Sequence, residues 1–156
     1  MSCSSCGGTG KGTRLGKKNF PFLLSRESAF CMKKRKPRNL DVVVAEKNPA
    51  HRATLCSLIA SLNCVAIPAC SGLETLVAIK EGSAGLVLLD ADLLSSKRES
   101  ALQEIRQIDP SLPIIMMSGT LTPELSRRFG AQGAQGVLVK PIQRDQLAMT
   151  LFRFLL

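Results

Sequence analysis

The sequence predicts an α/β protein with a parallel sheet covered by helices on both faces. Three observations predict it. After about residue 39, strand-like and helix-like segments alternate five times, the order expected of a parallel sheet with crossover helices. The strand-like runs are short, continuous and apolar, as in strands buried on both faces. Polar residues stand where those runs stop: Glu46 and Lys47, Asp90, Ser118, and Lys140.

Leu40 to Ala45 is apolar and β-branched and reads as the first strand. Asn48 followed by Pro49 opens a helix, a capping residue and then proline at the first helical position. Leu55, Leu58, Ile59 and Leu62 recur at helical spacing, and Asn63 ends the helix. Cys64 to Ala69 is the second strand, and Pro68 inside it demands a sheet edge. Ser71 caps a second helix carrying Leu73, Leu76 and Val77, closed by Gly82. The run from Leu86 to Asp90 is the third strand. Ala101, Leu102, Ile105 and Ile108 make a third helix, stopped by Asp109-Pro110. Pro113 to Met117 is a fourth strand, ending at Ser118-Gly119. Thr122-Pro123-Glu124 opens a short helix with Leu125 and Phe129, and Gly136 to Val139 is the fifth strand, ending at Lys140-Pro141. Leu147, Leu151 and Leu155 share one face of the last helix.

Asp90 alone would read as a turn or cap residue. In a parallel sheet, however, all strand carboxyl ends meet at one edge, where open α/β sheets place their chemistry. That edge gathers Glu46, Lys47, Ser118 and Lys140 around Asp90. An aspartate there can act as a nucleophile on a phosphoryl group, giving an acyl phosphate. The transferred group needs positive charge and hydrogen-bond donors on its oxygens, which Lys140 and Ser118 can supply. Glu46 and Asp90 are the oxygen donors that Mg²⁺ prefers.

The net charge of +9 sits in a tail. Residues 1–40 carry ten basic side chains against Glu27 alone, whereas residues 41–156 hold eleven basic and eleven acidic ones. Lys33-Lys-Arg-Lys-Pro-Arg38 has no interleaved aromatic for base stacking, so it reads as a solvated linker and nucleic-acid binding is not expected. Gly10-Lys11 is followed by glycine, not by the hydroxyl of a phosphate loop. No apolar run approaches a membrane span. Cys3, Cys6, Cys31, Cys56, Cys64 and Cys70 have no repeating spacing. Three of them fall inside the predicted helix or strand segments, which reads as reduced, buried thiols of a cytoplasmic protein and not as a disulfide framework.

Cys3 to Gly10 resembles one CxxCxGxG unit of the zinc-binding region of DnaJ-type chaperones. One such unit gives two of the four ligands a structural zinc needs, and Cys31 and His51 are the only nearby supplements, so zinc is not expected.

From about residue 40 to the end, the chain resembles the receiver domain of two-component response regulators. The resemblance is carried by Val44-Ala45-Glu46-Lys47-Asn48-Pro49-Ala50-His51-Arg52, by Leu86 to Asp90, by Pro113 to Gly119, and by Gly133-Ala-Gln-Gly-Val-Leu-Val-Lys140-Pro141. It implies a flavodoxin-like (βα)5 doubly wound sheet with strand order 2-1-3-4-5. It also implies Asp90 as phosphoacceptor, Ser118 and Lys140 contacting the phosphoryl group, and Glu46 as one of an acidic pair that holds magnesium. A histidine kinase or phosphotransfer protein would be the donor, and a downstream protein the target.

Three departures stand against this pattern. Lys47 occupies the second acidic position and counts against Mg²⁺. Leu93-Leu94 replaces the usual Met-Pro, and Lys97, Arg98 and Glu99 stand where the loop's glycine should be. Val137 replaces the aromatic switch residue. Two readings therefore stay open: a phosphorylatable receiver, or a pseudo-receiver held in one state by a Lys47–Asp90 interaction and acting as a binding module. An enzyme with a flavin-type site lacks support, because no glycine-rich loop follows the first strand. The apolar segment Leu151 to Leu156 exceeds what one buried face needs, and the surplus can serve a partner or a homodimer.

Residues 1–38 are expected to form a basic, disordered extension before a receiver at 39–156, with Met32 as an alternative start. N-terminal peptide mapping of the native protein decides between the starts. A folded, zinc-loaded segment around Cys3 and Cys6 would overturn both versions.

Overall fold

The computed structural model describes residues 40–82, 84–94 and 100–155. The expectations for the basic extension, the Met32 start, Cys3, Cys6, Cys31 and the loop at Lys97 to Glu99 lie outside the described residues.

Five parallel strands form one sheet in the order β2-β1-β3-β4-β5. They are β1 (Asp41–Ala45), β2 (Val65–Ala69), β3 (Leu86–Asp90), β4 (Ile114–Ser118) and β5 (Gly136–Val139). The helices between and after them are α1 (Pro49–Ser61), α2 (Gly72–Lys80), α3 (Ser100–Ile108), α4 (Pro123–Ala131) and α5 (Arg144–Leu155). The edge position required by Pro68 is realised: β2 pairs only with β1, with Pro68 opposite Val44.

Local chemistry sets the boundaries. Asn48 caps α1 by accepting from the Ala50 and His51 N–H groups, with Pro49 next in line. Ser71 accepts from Glu74 N–H at the start of α2, and Thr122 from Leu125 N–H at the start of α4. Beyond α1, Asn63 takes a left-handed φ of 59°, a conformation that asparagine tolerates better than most residues. A 3-10 turn that the apolar pattern does not signal, Ala91–Leu93, leaves β3 directly.

All five residues of β3 and of β4 are buried. Because neighbouring residues point to opposite faces, these strands feed two cores. Val43, Val87, Leu89, Ile114 and Met116 pack with Ile79, Leu102, Ile105 and Phe129, from α2, α3 and α4. Val42, Val44, Leu86, Leu88, Ile115 and Met117 pack with Leu55, Ile59, Leu147 and Leu151, from α1 and α5. A strand buried on both sides leaves only its ends for polar chemistry.

The cysteines are less buried than expected. Cys56 and Cys64 are half-buried, but Cys70 is exposed, its thiol donating to Glu74 at 3.1 Å. It lies one residue past β2, where the core has ended. On α5, Leu147 and Leu151 are buried while Met149 and Phe152 are 75% and 69% exposed.

Arg106 of α3 joins three segments. Its guanidinium donates to Pro110 O at 3.1 Å and to Leu112 O at 2.6 Å, and also to Gly133 O between α4 and β5. Gly133 has φ +96°, and a Cβ there would come within 2.8 Å of Arg106 Nε. Arg106→Ala would leave half-buried carbonyls without partners. We expect it to lower stability by about 1–3 kcal/mol, read as a lower urea midpoint with an unchanged slope.

Candidate functional site

The parallel register brings the expected residues to one edge. Ala45 lies opposite Leu89, Asp90 opposite Met117, and Ser118 opposite Val139. Glu46, Asp90, Ser118 and Lys140 therefore end or follow four adjacent strands. Lys140 N–H donates to Ser118 O at 2.8 Å, which ties the last two ends together.

Lys140 is the centre of the arrangement. Its Nζ lies 2.6 Å from Glu46 Oε2 and 3.0 Å from Asp90 Oδ1. Both carboxylates are almost fully buried, at 2% and 3% exposure, while the lysine side chain keeps 21%. Backbone donors complete the shell: Asn48 N–H donates to Glu46 Oε1 at 2.8 Å, and Asp92 N–H to Asp90 Oδ1 at 3.3 Å. Ser118 is buried, and its Oγ accepts from Thr120 N–H at 3.3 Å, so its own O–H remains able to donate.

Arg52, which no sequence motif marks as a site residue, braces this edge. Its guanidinium donates to Glu46 O at 2.7 Å and to Lys47 O at 3.3 Å, holding the backbone that carries both residues. The available signal was its position four residues beyond the Asn48 cap, on the first turn of α1.

Lys47 is exposed. Its ammonium forms no ion pair or hydrogen bond among the described residues. The Lys47–Asp90 interaction expected of a pseudo-receiver is thus not formed. Lys140 has taken that place, and a solvated lysine head on a flexible stem costs less than a second buried cation. Val137 is half-buried and packs on the core beneath α2, α3 and α4.

These surroundings set the charges. Burial pushes the Asp90 carboxyl above its ordinary value, and Glu46 adds to the push, against Lys140 and the Asp92 N–H. Burial also works against the Glu46 charge, but Lys140 and the Asn48 N–H outweigh it and hold Glu46 below its ordinary value. Burial opposes the Lys140 charge as well, yet the two carboxylates raise its value above the ordinary one.

Beside Lys140 lies an open cavity of about 360 Å³. Thr54, Leu55 and Leu58 of α1 form one wall, and Pro141 and Ile142 the other.

A family model described as the response regulator receiver domain matches residues 42–152. The chain belongs to this family. The receiver is 27% identical over 113 residues to the transcriptional regulatory protein ZraR of Escherichia coli K12, covering 72% of this chain and 26% of that protein. It spans about a quarter of the length of the ZraR proteins it matches. The crystal structure of the NtrX receiver domain from Brucella abortus superposes with a TM-score of 0.67 at 26% identity, covering 74% of this chain and 98% of that one. The receiver domain of the sensor histidine kinase PA1611 from Pseudomonas aeruginosa, crystallised with magnesium in its active-site cleft, shares the fold at TM-score 0.67 and 21% identity, over 75% and 98% of the two chains. Among the described residues no helix is long and apolar enough to cross a membrane.

Glu46 and Asp90 are the carboxylates that would hold Mg²⁺ here, and Lys140 binds one oxygen of each. That ion demands near-octahedral oxygen coordination. Glu46 already has donors on both oxygens, and Asp90 Oδ1 is shared between Lys140 and the Asp92 N–H.

Removing Lys140 tests this electrostatic account. Lys140→Met leaves two buried carboxylates without their cation. We expect a loss of about 3 kcal/mol at pH 7, the low end for a broken buried pair because the lysine is partly exposed. In the wild type, the raised Lys140 value makes its contribution fully present below the ordinary lysine value of 10.5, and lost as pH rises through the folded value. The lowered Glu46 value contributes stability above the ordinary carboxylate value of 4.5, lost as pH falls through the folded one. The raised Asp90 value acts in the opposite sense. The gap between the two proteins should therefore narrow on acidification, as urea midpoints at pH 7 and pH 4 will show.

Proposed function

We propose that this receiver accepts a phosphoryl group on Asp90 from a phosphohistidine of a sensor kinase or phosphotransfer protein, and signals onward through protein contacts. The observation that carries the reading is the buried Asp90 carboxylate at a strand end, with Lys140 Nζ at 3.0 Å. An Asp90 oxygen attacks phosphorus in line, the bond from phosphorus to the donor imidazole nitrogen breaks, and that nitrogen keeps the electron pair. The product is an acyl phosphate on Asp90. Lys140 and the Ser118 hydroxyl donate to its oxygens. The cavity along α1 and Pro141 leaves room beside the site for the surface that presents the imidazole. Met149 and Phe152 give α5 exposed apolar area for a downstream protein or a second copy.

Exposure to acetyl phosphate, followed by intact-mass measurement and peptide mapping, tests the acceptor. The expected gain is one phosphoryl group on the peptide containing Asp90, abolished in Asp90→Asn. A modification that survives Asp90→Asn removes Asp90 from this role. For magnesium we expect only millimolar or weaker binding, with a gain in Lys47→Asp, which adds a carboxylate ligand. Calorimetric titration of both proteins checks this, and equal, tight binding by the two would refute it.

A further inference from the structure

We infer that Lys47 is the mobile counter-ion of the phosphorylated state, so that this receiver carries its phosphoryl group without a divalent cation. The inference rests on the proposed phosphorylation of Asp90 and starts from the charges at the sheet edge. Glu46 and Asp90 face Lys140, which leaves one surplus negative charge. A phosphoryl group on Asp90 replaces that carboxylate's charge with about two negative charges. The surplus then rises to about two in a largely buried site.

The positive charge that answers it must come from this edge or from solution. Arg52 is committed, its guanidinium bound to Glu46 O and Lys47 O. Lys140 is already shared between the two carboxylates. Magnesium would meet a Glu46 engaged on both oxygens and, next to it, an ammonium instead of a second carboxylate. Lys47 remains: it follows Glu46 directly, its backbone is held by Arg52, and its exposed ammonium has no partner among the described residues. In net charge a lysine equals a carboxylate that holds Mg²⁺, since each adds one positive unit. The lysine adds it without a metal. Its four-carbon stem lets it stay solvated until the phosphoryl group arrives.

The test uses the full chain with acetyl phosphate as donor, in EDTA and in Mg²⁺, read by intact mass. An Asp90 oxygen attacks phosphorus, the bond to the acetate oxygen breaks, and acetate leaves with the electron pair. Wild type should be modified to a similar extent under both conditions. Lys47→Gln, which keeps the size and removes the charge, should lose at least about tenfold of that extent in EDTA. Lys47→Asp should be modified only with Mg²⁺. Wild-type modification that requires Mg²⁺ overturns the inference. So does an unmodified wild type beside a Lys47→Asp protein that is modified in Mg²⁺: Asp90 would then be a competent acceptor that Lys47 blocks. No modification of any folded protein under either condition overturns the acceptor reading as well.

Discussion

Lys140 holds two buried carboxylates that lie on different strands, one of them 94 residues away in the chain. Without it, Glu46 and Asp90 would be like charges in a low-dielectric site, and one would have to protonate. With it, the carboxyl edge of β1, β3 and β5 is joined by one ammonium group. The local backbone supports this centre. Asn48 serves α1 with its side chain and Glu46 with its N–H, so the helix cap and the site shell share one residue. The Ala91–Leu93 turn does the same for Asp90 through the Asp92 N–H.

The sheet makes such a site possible. β3 and β4 are buried on both faces, and a polar side chain within either would lack water and partners. Their ends are the first positions where a carboxylate or hydroxyl can meet donors from neighbouring strands. The two cores clamp these ends from both sides, one through α1 and α5, the other through α2, α3 and α4. Arg106 adds a polar tie on the second side by binding carbonyls before β4 and before β5.

The departures from the receiver pattern alter charge and side-chain shape but leave the architecture intact. Lys47 leaves the acidic position without crowding Lys140, because its head group stays in solvent. Val137 keeps an apolar contact with the core but has no ring to move between buried and exposed positions.

Much of the fold could be read from the chain itself because its signals are local. Asn48-Pro49, Ser71 and Thr122-Pro123 mark helix starts through hydrogen bonds within three residues, and Pro68 forces an edge because it lacks an N–H. The apolar runs fixed where strands end, and so placed Glu46, Asp90, Ser118 and Lys140 together. What the chain could not reveal is which partner each charge chooses. Lys47 and Lys140 are the same residue type at the same edge, and both were candidates for Asp90. Only the tertiary structure decided for Lys140, because β5 delivers it to the two carboxylates, while Lys47 emerges with its head in water. The roles of Arg52 and Arg106 are hidden in the chain for the same reason: their partners are backbone carbonyls, which every residue carries and no sequence pattern marks.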